Sequence, residues 1–134
     1  MPFEQHLSVF GAVPLLTLLE RDAQVAVARD AEPLSTRPGD VIFVRGDISD
    51  GGYVVLSGSV ALGRDSTRAG TERIVGPRVL IGEMALITQT ERPASAVVNE
   101  PSSILKISRI SFLRILRLYP KSALRVRAFV AHRL

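Results

Sequence analysis

Gly82, Glu83 and Arg92 are the residues whose types and spacing could do chemistry, and that chemistry is the binding of a phosphate-bearing, hydroxyl-bearing ligand. An arginine presents a planar fork matched to two phosphate oxygens and does not lose its charge. The run Gly82-Glu83-Met84-Ala85-Leu86-Ile87 lacks strand alternation and is rich in helix formers, so it reads as a helical turn or two. A helix starting at Gly82 would aim free backbone N–H groups at an anion, and the missing side chain would let ligand or backbone come close. Glu83 can accept hydrogen bonds from a ligand hydroxyl. Singly, each residue has a plainer reading. Gly82 could end a strand, Glu83 could be an acid favoured by the helix dipole, and Arg92 could be a solvated member of the polar loop Gln89-Thr90-Glu91-Arg92. The spacing of the three together lifts the ligand-binding reading above these.

Catalytic constellations are not in view. The histidines are His6 and His132, near opposite termini, and there is no cysteine. A metal-binding barrel would need clustered His and carboxylate ligands, and a triad or a thiol nucleophile is equally unsupported. Asp40, Asp47 and Asp50 each sit beside a glycine-rich turn, where aspartate commonly bonds its own backbone. The expected activity is binding without catalysis, with no metal and no cofactor other than the ligand.

The elements that must position these residues follow from turn chemistry and periodicity. The chain of 134 residues has the size of one domain, 1–134. Leu15, Leu16, Leu18 and Leu19 lead into a predicted helix from about Glu20 to Arg29, stopped before Pro33. Pro38-Gly39-Asp40 is a turn, and Val41 to Arg45 a strand. Tyr53 to Leu56 and Ser59 to Leu62 read as strands joined by a two-residue reversal at Ser57-Gly58. Arg64 to Gly70 is a polar connection. Thr71 to Val75 and Val79 to Ile81 are strands separated by Gly76-Pro77, and Ala94 to Val98 with Ser103 to Ile107 make one more pair. After residue 108 the pattern turns helical. Phe112, Leu113, Ile115, Leu116 and Tyr119 form an amphipathic stretch with Ser111 as its predicted N-cap. Pro120 breaks it, and a last helix carries Leu124, Ala128 and Ala131 on one stripe with Val126, Val130 and Leu134 beside it. The fold class is therefore mainly β. About eight short strands form a barrel or sandwich over residues 32–108, after a helical segment 1–31 and before two helices in 109–134.

Phe43-Val44-Arg45-Gly46-Asp47, Asp50, Tyr53 and Val55-Leu56-Ser57-Gly58-Ser59-Val60 resemble the opening β-roll of cyclic nucleotide-binding domains. Gly82-Glu83-Met84-Ala85-Leu86, followed by Arg92 and Ala94-Ser95-Ala96-Val97, resembles their phosphate-binding cassette. The resemblance runs from about Val9 to the C-terminus. It implies a jelly-roll-like β-roll with a short phosphate-binding helix inside it, related to the sensor domain of the cyclic-AMP receptor type but without a DNA-binding domain. By the same resemblance, Gly82, Glu83, Met84, Ala85, Arg92, Ala94 and Ser95 contact the ligand, with Glu83 on the ribose 2′-hydroxyl. A side chain of the last helix caps the base, for which Phe129, His132 and Arg133 are the planar candidates. Two departures stand out. Pro93 follows Arg92 where the family residue normally gives a backbone N–H to the phosphate, and proline has none. Arg78-Val79 stands where Gly-Asp often follows Gly-Pro. Proline also lacks the hydroxyl with which a threonine there would meet a guanine amino group, which leans the ligand towards cyclic AMP.

Charge bears on partners. Through Glu100 there are nine Arg and thirteen acids, whereas Pro101 to Leu134 holds eight Lys and Arg and no acid. Such a segment is either a solvated helix face or a surface for nucleic acid, an acidic membrane or an acidic protein. Nothing corresponds to a helix-turn-helix, so sequence-specific DNA binding is not expected, and no apolar run is long enough to span a bilayer. The lack of cysteine fits a cytoplasmic setting. The expectations are thus a cyclic nucleotide as ligand and a regulatory module that moves its last helices against an unidentified protein partner. A homodimer through the last helix stands against a helix folded back on its own roll. The alternative function is a roll that has lost its ligand and serves as an interaction or dimerisation module.

Overall fold

The computed structural model describes residues 2–64 and 72–133. Most of the polar connection (65–70), Thr71 of the predicted strand Thr71 to Val75 and Leu134 of the last stripe lie outside the described residues. Among the described residues, helices α1 (Pro2–Phe10), α2 (Pro14–Thr17) and α3 (Arg21–Asp30) precede eight strands. These are β1 (Glu32–Thr36), β2 (Val41–Phe43), β3 (Gly51–Ser57), β4 (Val60–Leu62), β5 (Arg73–Val75), β6 (Leu80–Ile81), β7 (Ala96–Val98) and β8 (Ser102–Ser108). A 3₁₀ turn at Met84–Leu86 separates β6 from β7, and helices α4 (Arg109–Leu118) and α5 (Pro120–Ala131) close the chain. No helix among them is long and apolar enough to cross a membrane.

The strands form two four-stranded antiparallel sheets, in the orders β1-β8-β3-β6 and β2-β7-β4-β5. This is the β-roll expected, but the pairing differs from the hairpins expected. Ser57-Gly58 is a corner, not a hairpin: β3 pairs with β8 and β6, whereas β4 pairs with β5 and β7. Gly58 turns it with φ +88°, and Ser102 Oγ accepts the Ser59 N–H at 3.0 Å. The strands at 94–98 and 103–107 likewise lie in different sheets. Alternation and turn residues set where strands begin and end; they carry no information about which distant strand offers its free edge.

β1 is absent from the sequence expectation, in which Pro33 serves only to stop the preceding helix. A proline costs a strand little when its missing N–H would have faced outward, and β1 is the edge of its sheet, paired to β8 alone. At the other end, α4 begins three residues earlier than the sequence suggested. Ser108 is its N-cap, with Oγ accepting the Ser111 N–H at 3.1 Å. Ser111 instead donates its hydroxyl hydrogen to Asp30 at 3.0 Å, tying α4 to α3.

Two cores explain the apolar runs of β3 and β8. Val55 and Ile104 point into the roll with Phe43, Tyr53, Val60 and Val98. Their neighbours Val54 and Leu105 face outward onto a helical core with Phe10, Leu16, Val27 and Phe112. Both strands are buried on both faces, so their sequences read as continuous apolar stretches.

Arg78, the one described non-glycine residue with positive φ (72°), sits in the β5–β6 turn. A left-handed conformation costs an L-residue roughly 1–2 kcal/mol, of which glycine's greater chain entropy would return about half. Arg78→Gly is therefore expected to stabilise the protein by about 0.5–1 kcal/mol and raise Tm by about 3 °C. A lower Tm on thermal denaturation would contradict this.

Candidate functional site

The roll opens on a cavity of about 420 Å³ between the 3₁₀ turn, the β5–β6 region and the loop before β7. Its walls are mostly apolar: Phe43, Leu62, Val79, Ile81, Met84 and Ala85 are among them. Against those walls lies one buried cation. The Arg92 side chain is 4% exposed and forms part of the lining.

Arg92 is held by backbone pairing that sequence patterns could not reveal. Its N–H donates to Asp47 O and its carbonyl accepts the Gly46 N–H, both at 2.8 Å. A bridge between Ile48 and Glu91 continues this pairing. The side chain then passes between rings, its guanidinium carbon 4.2 Å from the Phe43 centroid and 5.7 Å from that of Tyr53. Nη2 donates to Gly51 O at 2.7 Å, and the nearest carboxylate, Asp50, stays 3.9 Å away on an exposed side chain. A guanidinium has five N–H donors, so this is a sparse set of acceptors for a buried cation. Burial pulls the Arg92 pKa down from its ordinary value, with Tyr53 and Asp50 acting in the opposite direction. Its one ion pair, with Asp50, is long and reaches an exposed carboxylate.

Gly82 makes room for it. At φ +82°, a Cβ there would lie 2.6 Å from Arg92 Nη1. The turn that follows is shorter than the helix expected. Met84–Leu86 is a single 3₁₀ turn, and the Ala85 N–H already donates to Gly82 O at 3.0 Å. Proton donors at the start of the turn are therefore the amides of Glu83 and Met84 rather than a run reaching Ala85. Arg109, the first residue of α4, clamps the turn from behind: its Nη1 donates to Ala85 O at 3.0 Å and its Nη2 to Ser49 O at 3.1 Å.

Of the residues singled out in the sequence, Gly82, Met84, Ala85, Arg92 and Ala94 meet around the cavity. Glu83 and Ser95 are not among its lining. Ser95 is buried, with Oγ accepting the Arg45 N–H at 2.8 Å, so it supports the loop that carries Arg92. The Glu83 carboxylate instead lies 3.5 Å from Arg133 Nε. The three lid candidates also stand off the cavity. Arg133 stacks on Phe129 at 4.4 Å, Phe129 packs against the helical core, and His132 is the exposed C-cap of α5. Sequence reasoning missed Arg73 and Thr90, which line the cavity, and Arg109 behind it. Pro93 lines the cavity directly after Arg92, so its missing N–H falls at the site itself.

The family model described as cyclic nucleotide-binding domain matches residues 33–119. The cyclic AMP receptor protein of Thermus thermophilus is 39% identical over 72% of this chain. The chain spans less than half the length of the curated relatives it matches. Among solved structures, the N-terminal domain of a transcriptional regulator from Streptomyces coelicolor superposes with TM-score 0.82 at 28% identity, covering 93% of this chain and 89% of that one. A cyclic nucleotide-binding-like protein from Brucella abortus gives TM-score 0.74 at 32% identity, covering 84% and 97%.

Proposed function

The chain belongs to the cyclic nucleotide-binding domain family, and from that premise we propose that its cavity holds cyclic AMP, the phosphate against Arg92 and the ribose towards Glu83. One observation carries the reading: a buried guanidinium, its one carboxylate partner 3.9 Å away on an exposed side chain, on the wall of a mostly apolar cavity of about 420 Å³. That volume suits a small ligand, and the exposed phosphate edge of a cyclic nucleotide supplies the missing charge. Gly82 contributes space, and Met84, Ala85 and Ala94 contribute apolar contact. The Thermus relative's name supports cyclic AMP, as does Pro93, which offers no hydroxyl to a guanine amino group.

Calorimetry on nucleotide-stripped protein tests the proposal. Cyclic AMP is expected to saturate one site per chain. Cyclic GMP is the necessary comparison, because Arg73 on the cavity wall is a donor of the kind that guanine's O6 and N7 accept. Tighter binding of cyclic GMP would overturn the choice of base. Absence of heat with either nucleotide would favour a second reading, an interaction module that has lost its ligand. Pro93 is the observation on that side, since a hydrogen bond to a charged group is worth about 1.5–3 kcal/mol.

Glu83 cannot serve the ribose fully while Arg133 holds it. Arg133→Ala is expected to strengthen cyclic AMP binding about two- to fivefold at low salt, the size of a half-exposed ion pair. An unchanged affinity would mean that Glu83 takes no part in binding.

A further inference from the structure

A groove runs along the two C-terminal helices against Ile87, and it shares no lining residue with the first cavity. Its volume is about 670 Å³, and Ile87, Leu113, Leu116, Pro120, Leu124 and Val130 give it an apolar floor. Leu124 is 62% exposed although it lies in this floor. Arg117 and Arg127 also line the groove, and Lys121 is exposed on the same helix.

The charges around it are uncompensated. No acid occurs in residues 101–134. The acids that reach these helices from the body are already engaged. Asp30 meets Arg114 and Ser111, Glu20 meets Ser122, and Glu83 meets Arg133. Among the described residues, Arg117, Lys121 and Arg127 have no carboxylate partner.

An apolar floor with a cationic rim selects its occupant. We propose that this groove docks an amphipathic helix of a partner protein, with the apolar stripe of that helix on Leu116, Leu124 and Val130 and its flanking carboxylates against Arg117, Lys121 and Arg127. A second copy of the same face is the poorer occupant, because a two-fold axis would set these cations against their own counterparts.

The probe is a fluorescein-labelled helical peptide of about 18 residues, roughly 27 Å long, with leucines at helical spacing and glutamates on the flanks. Its twin carries lysines in place of the glutamates. By fluorescence anisotropy, the glutamate peptide is expected to bind the intact chain at least about tenfold more tightly than the lysine peptide, with added salt closing the gap. Arg117→Glu with Arg127→Glu should reverse the preference, and Leu124→Asp should weaken both peptides. All three residues are exposed, so thermal melts matching the wild type are expected and make the binding data decisive. Equal binding of the two peptides, or binding of neither, overturns the proposal. So does sedimentation showing a dimer that Leu124→Asp dissociates, which would give the groove to a second copy. Binding to phosphatidylserine vesicles without binding to the glutamate peptide would give it to a membrane.

Discussion

Arg92→Leu is expected to weaken nucleotide binding at least about a hundredfold while leaving the empty protein folded. Removing one partner of a buried charge pair costs about 3–5 kcal/mol, which in affinity is roughly a hundredfold to several thousandfold. The stability of the empty form follows a different balance. Without ligand, Arg92 is a desolvated cation with one hydrogen bond to Gly51 O and a carboxylate no nearer than 3.9 Å. Leucine loses that bond and removes the desolvation, so unfolding free energy should change by no more than about 1–2 kcal/mol. Arg92→Lys keeps the charge and loses the fork, and an intermediate loss of about tenfold is expected. Calorimetry and urea melts on the same preparations separate the two effects. A leucine variant that titrates within threefold of the wild type would remove Arg92 from the site.

Gly51→Ala should be the most damaging single methyl group that can be added near the site. A Cβ there would overlap Ile107 O, and would sit 2.9 Å from Ser108 Cα and 3.0 Å from Ile107 C. All three are backbone atoms of β8, which pairs with Gly51 in register, so no side chain can swing aside. β3 and β8 must separate locally. The expected cost is about 3 kcal/mol, or roughly 10 °C in Tm. The effect should reach binding as well, because the Gly51 carbonyl anchors Arg92 and its neighbour Asp50 accepts the Arg109 N–H at 2.8 Å. Gly39→Ala is the internal control. Gly39 has φ +90° but open space around it, so only conformational strain of about 1 kcal/mol applies. If both variants melt together, close β3–β8 approach is not what Gly51 serves.

These two glycines show where sequence reading stops. Pro38-Gly39-Asp40 is legible as a turn because the local chain alone demands φ > 0 there. Gly51 reads the same way in sequence, yet its need comes from β8, more than fifty residues on. Arg92 divides similarly. Its residue type and its distance from Gly82 raise the expectation of an anion site, and the structure sets both residues on the wall of one cavity. Its burial between Phe43 and Tyr53 depends on backbone pairing with residues 46–49, which no periodicity records. The contacts missed or misplaced, such as Arg109 on the Ala85 carbonyl and Arg133 on Glu83, are long-range contacts of arginines in a C-terminal segment that reads as amphipathic surface.

The sequence by itself determined a strand-rich body between helical ends, the places where the chain turns, and most of the residues that meet around one cavity. Those properties are local: strand alternation, helix periodicity and turn chemistry act over a few residues and survive without a partner. Only the tertiary structure decided that Ser57-Gly58 is a corner between sheets, that Pro33 lies on an edge strand, and that Arg92 is buried while Arg117 and Arg127 are left facing an open groove. Those outcomes depend on which distant segment covers each face. Burial and charge pairing are properties of that meeting and not of the residues themselves.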